Sequence, residues 1–381
     1  MWRNVASNAL TLMIVALIVV GGLITWANNK FKAEGPMETA QFFEVKNGAI
    51  FRTVAQNLAD QGIVEYPSLF RMGAEYTERS GKLKYGNYEI PAYASMEQVL
   101  KIITEGGQSS FKYSVNFVIG GSGSELRLSE KNAGDSGSSV IERFAVGEEV
   151  TPIYAELVAA KTPIAYRVIV PEGLTSWQVV EGLKGADFLE GELAGIPAEG
   201  SLAPDSYDVS RGAARERMIE RMTLAQERIL TELWELRDGD LPFSTPEEAL
   251  ILASIIEKET GVTSERELVA SVFVNRLQRG MKLQTDPTVI YGITKGRGSL
   301  GHGLRRSELR RETPYNTYQI AGLPPTPIAN PGVAAIKAAL QPAQSEFIFF
   351  VADGTGGHAF AKTLSEHNAN VRKWRAIEAD Q

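Results

Sequence analysis

The 381-residue sequence contains no cysteine and only three histidines. The first absence excludes disulfide staples, thiol nucleophiles and cysteine metal sites. The second argues against a metal centre built from histidines. Basic charge is not in excess either, since 39 Lys and Arg face 46 Asp and Glu for a formal net charge of −7. A nonspecific grip on nucleic acid needs a basic face, so no nucleic-acid partner is expected. What is present is 44% hydrophobic and 22% charged. That is the composition of a folded chain, long enough for two or three domains with real cores.

Charge is also missing from Asn4 to Asn29, and Leu10 to Trp26 is dense in Leu, Ile, Val and Met. A membrane-spanning helix needs about 20 apolar residues, so the run is long enough. Arg3 precedes it and Lys30 and Lys32 follow, so the local Lys/Arg count alone does not orient it. A cleavable signal peptide is the alternative. Its apolar region would be about 7–15 residues, and the best cleavage candidate, Thr25-Trp26-Ala27, carries a bulky residue at its centre. An uncleaved transmembrane anchor over residues 1–29 is expected, with almost everything else on one side of the membrane.

Beyond a polar linker the pattern is strand, helix, strand, helix. Phe43-Glu44-Val45 and Gly86 to Ile90 read as strands, with a helical stretch through Val54, Leu58 and Ile63 and a capped helix from Ser95 to Ile103. A similar order returns with strands at Tyr166 to Val170 and Asp205 to Val209, and helices through Val179 and Val180 and from Ala213 to Leu236. Tyr88 to Leu100 and Tyr207 to Ile219 have the same spacing, which suggests a doubled module. Between the copies, Phe111 to Ile119 alternates like a strand, and Gly120 to Ser139 is rich in Gly and Ser and is expected to be a flexible loop. The expected divisions are 38–108, an insertion at 109–165, a second α+β module with its connecting helix at 166–240, and a C-terminal domain at 241–381. The turn Asp238-Gly239-Asp240 marks the last boundary.

Thr245-Pro246-Glu247-Glu248 is a helix start, with a capping threonine, proline at the first helical position and glutamate to close a capping box. The helix is expected to run to Thr260 and to end on Gly261. At about 100° per residue, Leu252, Ile255, Ile256 and Glu259 share one stripe, while Glu257 points roughly 140° from Leu252. So Glu259 falls on the buried face and Glu257 is wet or paired. A carboxyl in apolar surroundings stays protonated near neutrality and can act as a general acid. An exposed helix end or an ion pair with a buried Arg is the structural alternative. Downstream, Leu283 to Gly292 places polar groups and an aromatic around a Pro-broken turn, followed by Glu312 to Tyr318 and the Pro-rich run Gly322 to Gly332. Tyrosines with Asn, Gln and Thr on rigid loops suit sugar recognition, rings stacking on sugar faces while amides and hydroxyls bond the substituents. Core filling and turn shaping are the plainer alternatives.

Leu252 to Thr260, Ala270 to Leu277, Leu283 to Gly292, Tyr315 to Tyr318, Gly322 to Pro325 and Phe350 to Gly354 with Gly357-His358 resemble the YceG-like family, bacterial endolytic murein transglycosylases. The match is specific from about Pro246 to Asn368 and looser toward the N-terminus. Residues from Ser109 to about Thr162 look longer than the family's and inherit nothing from it. The resemblance implies an α+β protein of the bacterial inner membrane. One N-terminal transmembrane helix is followed by a LysM-like module over Phe43 to Gly106 and a periplasmic, mixed α+β catalytic domain. It implies nonhydrolytic cleavage of the β-1,4 bond between N-acetylmuramic acid and N-acetylglucosamine inside glycan strands, leaving 1,6-anhydromuramic ends. Peptidoglycan strands are the implied substrate and peptidoglycan synthases of the elongation machinery the implied partners, with no cofactor and no metal.

The family's essential glutamate falls in Glu257-Lys258-Glu259. Related enzymes place the acid before a small hydroxyl residue at a helix end, as Glu259-Thr260 does, so Glu259 is the candidate and Glu257 the reserve. Gln284, Asp286, Tyr291, Tyr315, Asn316 and Tyr318 are the candidates for the glycan groove. Asp286 is either a second carboxylate or, in Thr285-Asp286-Pro287, an Asx-type turn before proline, which turn chemistry favours. His302 lies in a Gly/Arg-rich loop, and His358 and His367 are given structural or groove roles. A hydrolytic muramidase and a noncatalytic, membrane-tethered wall-binding scaffold are the alternative functions.

Overall fold

The computed structural model describes residues 2–106, 110–148 and 150–379. The expected boundary between 108 and 109 lies outside the described residues. The chain is mixed α+β and divides into two compact units. The first comprises residues 1–114, 128–142 and 152–165; the second comprises 115–127, 143–151 and 166–381.

The first unit begins with the long helix Trp2–Lys32. Within Asn8–Lys32 an 18-residue stretch reaches a mean hydropathy of 2.4, and its apolar side chains from Leu10 to Trp26 are exposed. This is a helix long and apolar enough to cross a membrane. Its last turn is different: Phe31 is buried in a core with Phe43, Leu58, Phe70, Ile90 and Leu100. Gly73 makes that possible, because a Cβ there would lie 2.3 Å from the Phe31 ring. Strands Gln41–Val45 and Gly86–Ile90 pair antiparallel, and helices Phe51–Asp60, Pro67–Tyr76 and Met96–Glu105 pack with them. Ser95 caps the last helix by accepting from the Gln98 amide, and Gln98 answers in a full capping box.

Gly120 to Ser139 is not a flexible loop. Strands Tyr113–Gly120, Gly123–Glu130 and Ser139–Ala145 run through and beside it in a five-stranded sheet. The Gly and Ser content conceals a period of two: Ser124, Leu126 and Leu128 are buried while Glu125 and Arg127 face out and pair. Helix Pro152–Ala159 follows, within the expected insertion 109–165.

In the second unit, Ser206–Val209 pairs antiparallel with Tyr166–Ile169. Helix Ser176–Lys184 carries the same capping box as the first module, with Thr175 and Gln178 in the two roles. Tyr88 and Tyr207 extend the internal likeness. Each is buried on its strand and donates its hydroxyl to the carbonyl four residues earlier, Lys84 at 2.8 Å and Ala203 at 2.7 Å. Helix Arg215–Trp234 follows. Helices Pro246–Glu259, Arg266–Gln278 and Val333–Leu340 then form the main core of the unit, with Leu252, Ile255, Ile256, Phe273 and Ile336 fully buried. The hairpin Phe349–Ala352 and His358–Ala361 and the helix Leu364–Ala379 complete the chain.

Candidate functional site

Helix Pro246–Glu259 starts as its sequence predicts, with Thr245 and Glu248 in a reciprocal capping box and Pro246 in the first turn. Its end is different. Gly261 is not left-handed; the helix stops because Thr260 turns extended, at φ −138° and ψ 129°, and its hydroxyl accepts the Val262 N–H. Glu259 is therefore the last helical residue, its position fixed by seven preceding buried side chains.

The hydroxyl of Thr285 donates to Oε1 of Glu259. Burial pushes this carboxyl above the usual range, and Asp286 nearby pushes the same way. Thr285, His358 and Arg276 favour the ionised form but do not reverse the shift. Thr285 is itself held: its N–H donates to Thr317 Oγ1 at 3.0 Å, and Thr288 Oγ1 donates to its carbonyl at 2.7 Å. Glu259 lines a cavity of about 300 Å³ with Thr260, the glycine-rich loop from Gly354 to Gly357, His358 and Trp374.

Glu257 has a structural occupation. Its Oε2 accepts the N–H of Gly332, the residue that opens helix Val333–Leu340, at 2.9 Å. Arg266 stands 3.8 Å away, and the Glu257 side chain is 6% exposed. Burial raises this carboxyl too, against the Gly332 bond and Arg266, which favour its charge. Of the two expectations for this residue, wet or paired, it is paired.

The other predicted site residues separate into three places. Asp286 and Tyr318 join beside Glu259: the Tyr318 hydroxyl donates to Asp286 Oδ1 at 2.7 Å, and burial raises that phenol. Asp286 does not sit in a turn before proline; it opens helix Asp286–Thr294, with Pro287 in the first turn, where proline costs no backbone bond. Gln284 is exposed and left-handed at φ 50°, its N–H donating to the Thr317 carbonyl.

Tyr291 and Tyr315 pack together at 5.0 Å, and Tyr291 lines a second cavity of about 890 Å³ with Trp177, Gln178, Lys258 and Arg297. The Tyr315 hydroxyl is shared with Thr326. Asn316 faces no groove. It is fully buried, its amide donates to the carbonyls of Glu308, Leu309 and Arg311, and its Oδ1 accepts the Tyr318 N–H.

Sequence reasoning missed Glu199. Its Oε1 accepts the Ser176 N–H at 2.7 Å and its Oε2 the Tyr291 hydroxyl at 3.0 Å, and burial raises its carboxyl. Its partner lies 92 residues away, so no local pattern signals it. The pairing of Glu265 with His358 was missed for the same reason, at a separation of 93. Among the described residues no group of three or more His, Cys, Asp or Glu side chains is placed to hold a metal ion.

Comparison with known proteins places these residues in a family. The chain is 28% identical over 309 residues to the endolytic murein transglycosylase of Bacillus subtilis (strain 168), covering 76% of this chain and 84% of that one. It is 27% identical over 335 residues to the endolytic murein transglycosylase of Streptococcus pneumoniae serotype 2, covering 86% of this chain but 57% of that longer protein. The crystal structure of a yceG-like protein from Listeria monocytogenes, 24% identical, covers 87% of this chain and 98% of its own with a TM-score of 0.46. The model of the YceG-like family matches residues 43–135 and 143–373. Of the stretch from Ser109 to Thr162 only residues 136–142 fall outside it, so most of the expected insertion is family sequence. The match spans most of the chain and includes every carboxylate and tyrosine described above, and the chain belongs to the YceG-like family.

Proposed function

We propose that the chain is a membrane-anchored lytic transglycosylase acting inside murein strands on the β-1,4 bond between N-acetylmuramic acid and N-acetylglucosamine. One observation carries the reading: Glu259 is a carboxyl kept above its usual range by burial, bonded by the Thr285 hydroxyl and open to a cavity. Such a group donates a proton near neutrality. It protonates the glycosidic oxygen, and the ionised carboxylate regains the proton that the muramoyl C6 hydroxyl loses as that oxygen closes on C1. The internal nucleophile replaces water and gains from proximity. The names of the Bacillus and Streptococcus relatives support this reading.

The larger cavity suits a strand of sugars. Tyr291 and Trp177 offer aromatic faces and Gln178 an amide. With a net charge of −7 the chain has no general attraction for an anionic wall, so stacking and local polar contacts hold the strand. The apolar stretch within residues 1–29 is the inner-membrane anchor, the strand–helix module over 38–108 is a LysM-like wall-binding element, the remainder is periplasmic, and synthases of the elongation machinery are the partners. In this reading Asp286, bonded to Tyr318, orders the groove beside Glu259.

The test digests purified sacculi with full-length protein in detergent, comparing wild type, Glu259→Gln and Glu257→Gln by product mass spectrometry. Anhydro ends, abolished by Glu259→Gln and kept by Glu257→Gln, are expected. Reducing ends would make the enzyme a muramidase, and a folded Glu259→Gln cutting at the native rate would leave a wall-binding scaffold or another acid.

A further inference from the structure

We propose that His358 is a second catalytic group of this site, a proton carrier clamped by Glu265; the proposal rests on reading Glu259 as the acid of a transglycosylase. His358 opens the strand His358–Ala361 and lines the same 300 Å³ cavity as Glu259. Glu265 grips it twice: Oε1 accepts the backbone N–H at 3.1 Å, and Oε2 lies 2.9 Å from Nδ1. The two side chains are 15% and 19% exposed, so little water competes for the contact. The Phe350 ring, edge-on at 5.2 Å, fixes the plane of the imidazole.

The residue before the histidine is shaped by the same clamp. A Cβ at position 357 would lie 2.5 Å from Glu265 Oε1, so Gly357 is what lets the carboxylate reach both atoms. An ionised carboxylate accepts hydrogen bonds only, so Nδ1 carries the hydrogen and Nε2 is left as the free polar atom of the ring. Among the described residues Nε2 makes no hydrogen bond. A carboxylate that fixes the tautomer and orientation of an imidazole, with the other ring nitrogen turned to a reacting group, is the arrangement that catalytic triads use. A structural histidine needs none of this: it would not have to share a cavity with the buried acid.

In the proposed step Nε2 accepts a hydrogen bond from the muramoyl C6 hydroxyl. Glu259 gives its proton to the glycosidic oxygen, and the bond from C1 to that oxygen breaks with its electron pair going to the oxygen. O6 bonds to C1, and the O6 proton passes to Nε2. The imidazolium then hands that proton to the Glu259 carboxylate across the cavity, restoring both groups. No water, oxidant or reductant is consumed. A positioned base of this kind contributes roughly 10²–10⁴-fold.

The experiment measures kcat and KM of the full-length protein on purified glycan strands for His358→Gln, His358→Ala and Glu259→Gln, with thermal melting as the check on folding. The expected result is a loss of kcat of about 100-fold or more in both His358 variants with KM within about threefold, since glutamine keeps hydrogen-bonding atoms but takes no proton. Added imidazole should restore part of the His358→Ala rate, in proportion to the neutral imidazole present. A folded His358→Gln within twofold of the native kcat, or a His358→Ala rate that imidazole leaves unchanged, would overturn the proposal. In either case an inactive Glu259→Gln keeps the underlying reading, whereas an active Glu259→Gln removes that reading itself.

Discussion

The hydroxyl of Thr285 donates to the carboxyl of Glu259 across 26 residues of sequence, tying a helix end to a helix start. Among the described residues it is the one side-chain bond to that carboxyl, and it works against burial by favouring the ionised form. Thr285→Val keeps the shape and removes the bond. The Glu259 carboxyl then rises further. An acid catalyst is active below its own pKa, so the alkaline limb of the rate profile moves to higher pH. Turnover at the optimum should fall roughly tenfold as the proton becomes harder to release and the carboxyl loses its fixed direction, on the scale of one hydrogen bond to a charged group. A pH–rate profile of the two proteins checks both.

The raised carboxyl is also a stability statement. A group whose folded pKa lies above its unfolded value stabilises the fold below the unfolded pKa, and that contribution is lost as pH rises through the folded pKa. Glu259 is such a group, so at neutral pH its ionisation weighs against the fold. Glu259→Gln removes the charge and should melt a few degrees higher than wild type at pH 8, with the difference shrinking toward pH 4. Calorimetry at the two pH values measures it.

Glu257 gives the opposite result. Its carboxyl holds the N–H of Gly332, the cap residue of helix Val333–Leu340, and faces Arg266. Glu257→Ala leaves a buried donor and a nearly buried guanidinium without their acceptor, and should cost about 2–4 kcal/mol in urea unfolding. Glu257→Gln keeps an oxygen for Gly332 and should cost less. Turnover per folded molecule should stay within about threefold in both.

How much of this was legible depends on the distance over which each signal acts. The helix start at Thr245, Pro246 and Glu248 is a matter of four adjacent residues, and the stripe of Leu252, Ile255 and Ile256 is indeed fully buried. Both are local, so both were readable. Gly261 is the wrong signal for the helix end because glycine is only the commonest stop; here Thr260 turns the chain itself. The strand Gly123–Glu130 was hidden by composition, although Leu126 and Leu128 carried its alternation. The bonds from Glu199 to Tyr291 and from Glu265 to His358 span more than 90 residues, and no window of sequence contains both ends.

Tyr291 separates stacking from hydrogen bonding. Tyr291→Phe keeps the ring in the large cavity and removes only the donor to Glu199. It should leave KM for glycan nearly unchanged and cost about 1 kcal/mol of stability. Tyr291→Ala also removes the face on which a sugar would stack, and should raise KM roughly tenfold. If both variants share one KM, the ring does not hold the substrate.

The sequence pattern makes Asn316 a groove candidate, but its surroundings make it a scaffold residue. Its amide meets three carbonyls and its oxygen a fourth backbone group, all in a site without solvent. Leu309 and Arg311 belong to the short helix Arg306–Arg310 and its end, and Tyr318 bonds Asp286, so Asn316 ties that helix to the residues beside Glu259. Asn316→Ala strands several buried polar groups and should cost about 2–4 kcal/mol, while Asn316→Asp, which cannot donate to carbonyls when ionised, should cost at least as much. Urea unfolding measures the loss. The glycan KM of whatever remains folded should match wild type, because the side chain that was removed never reached the groove.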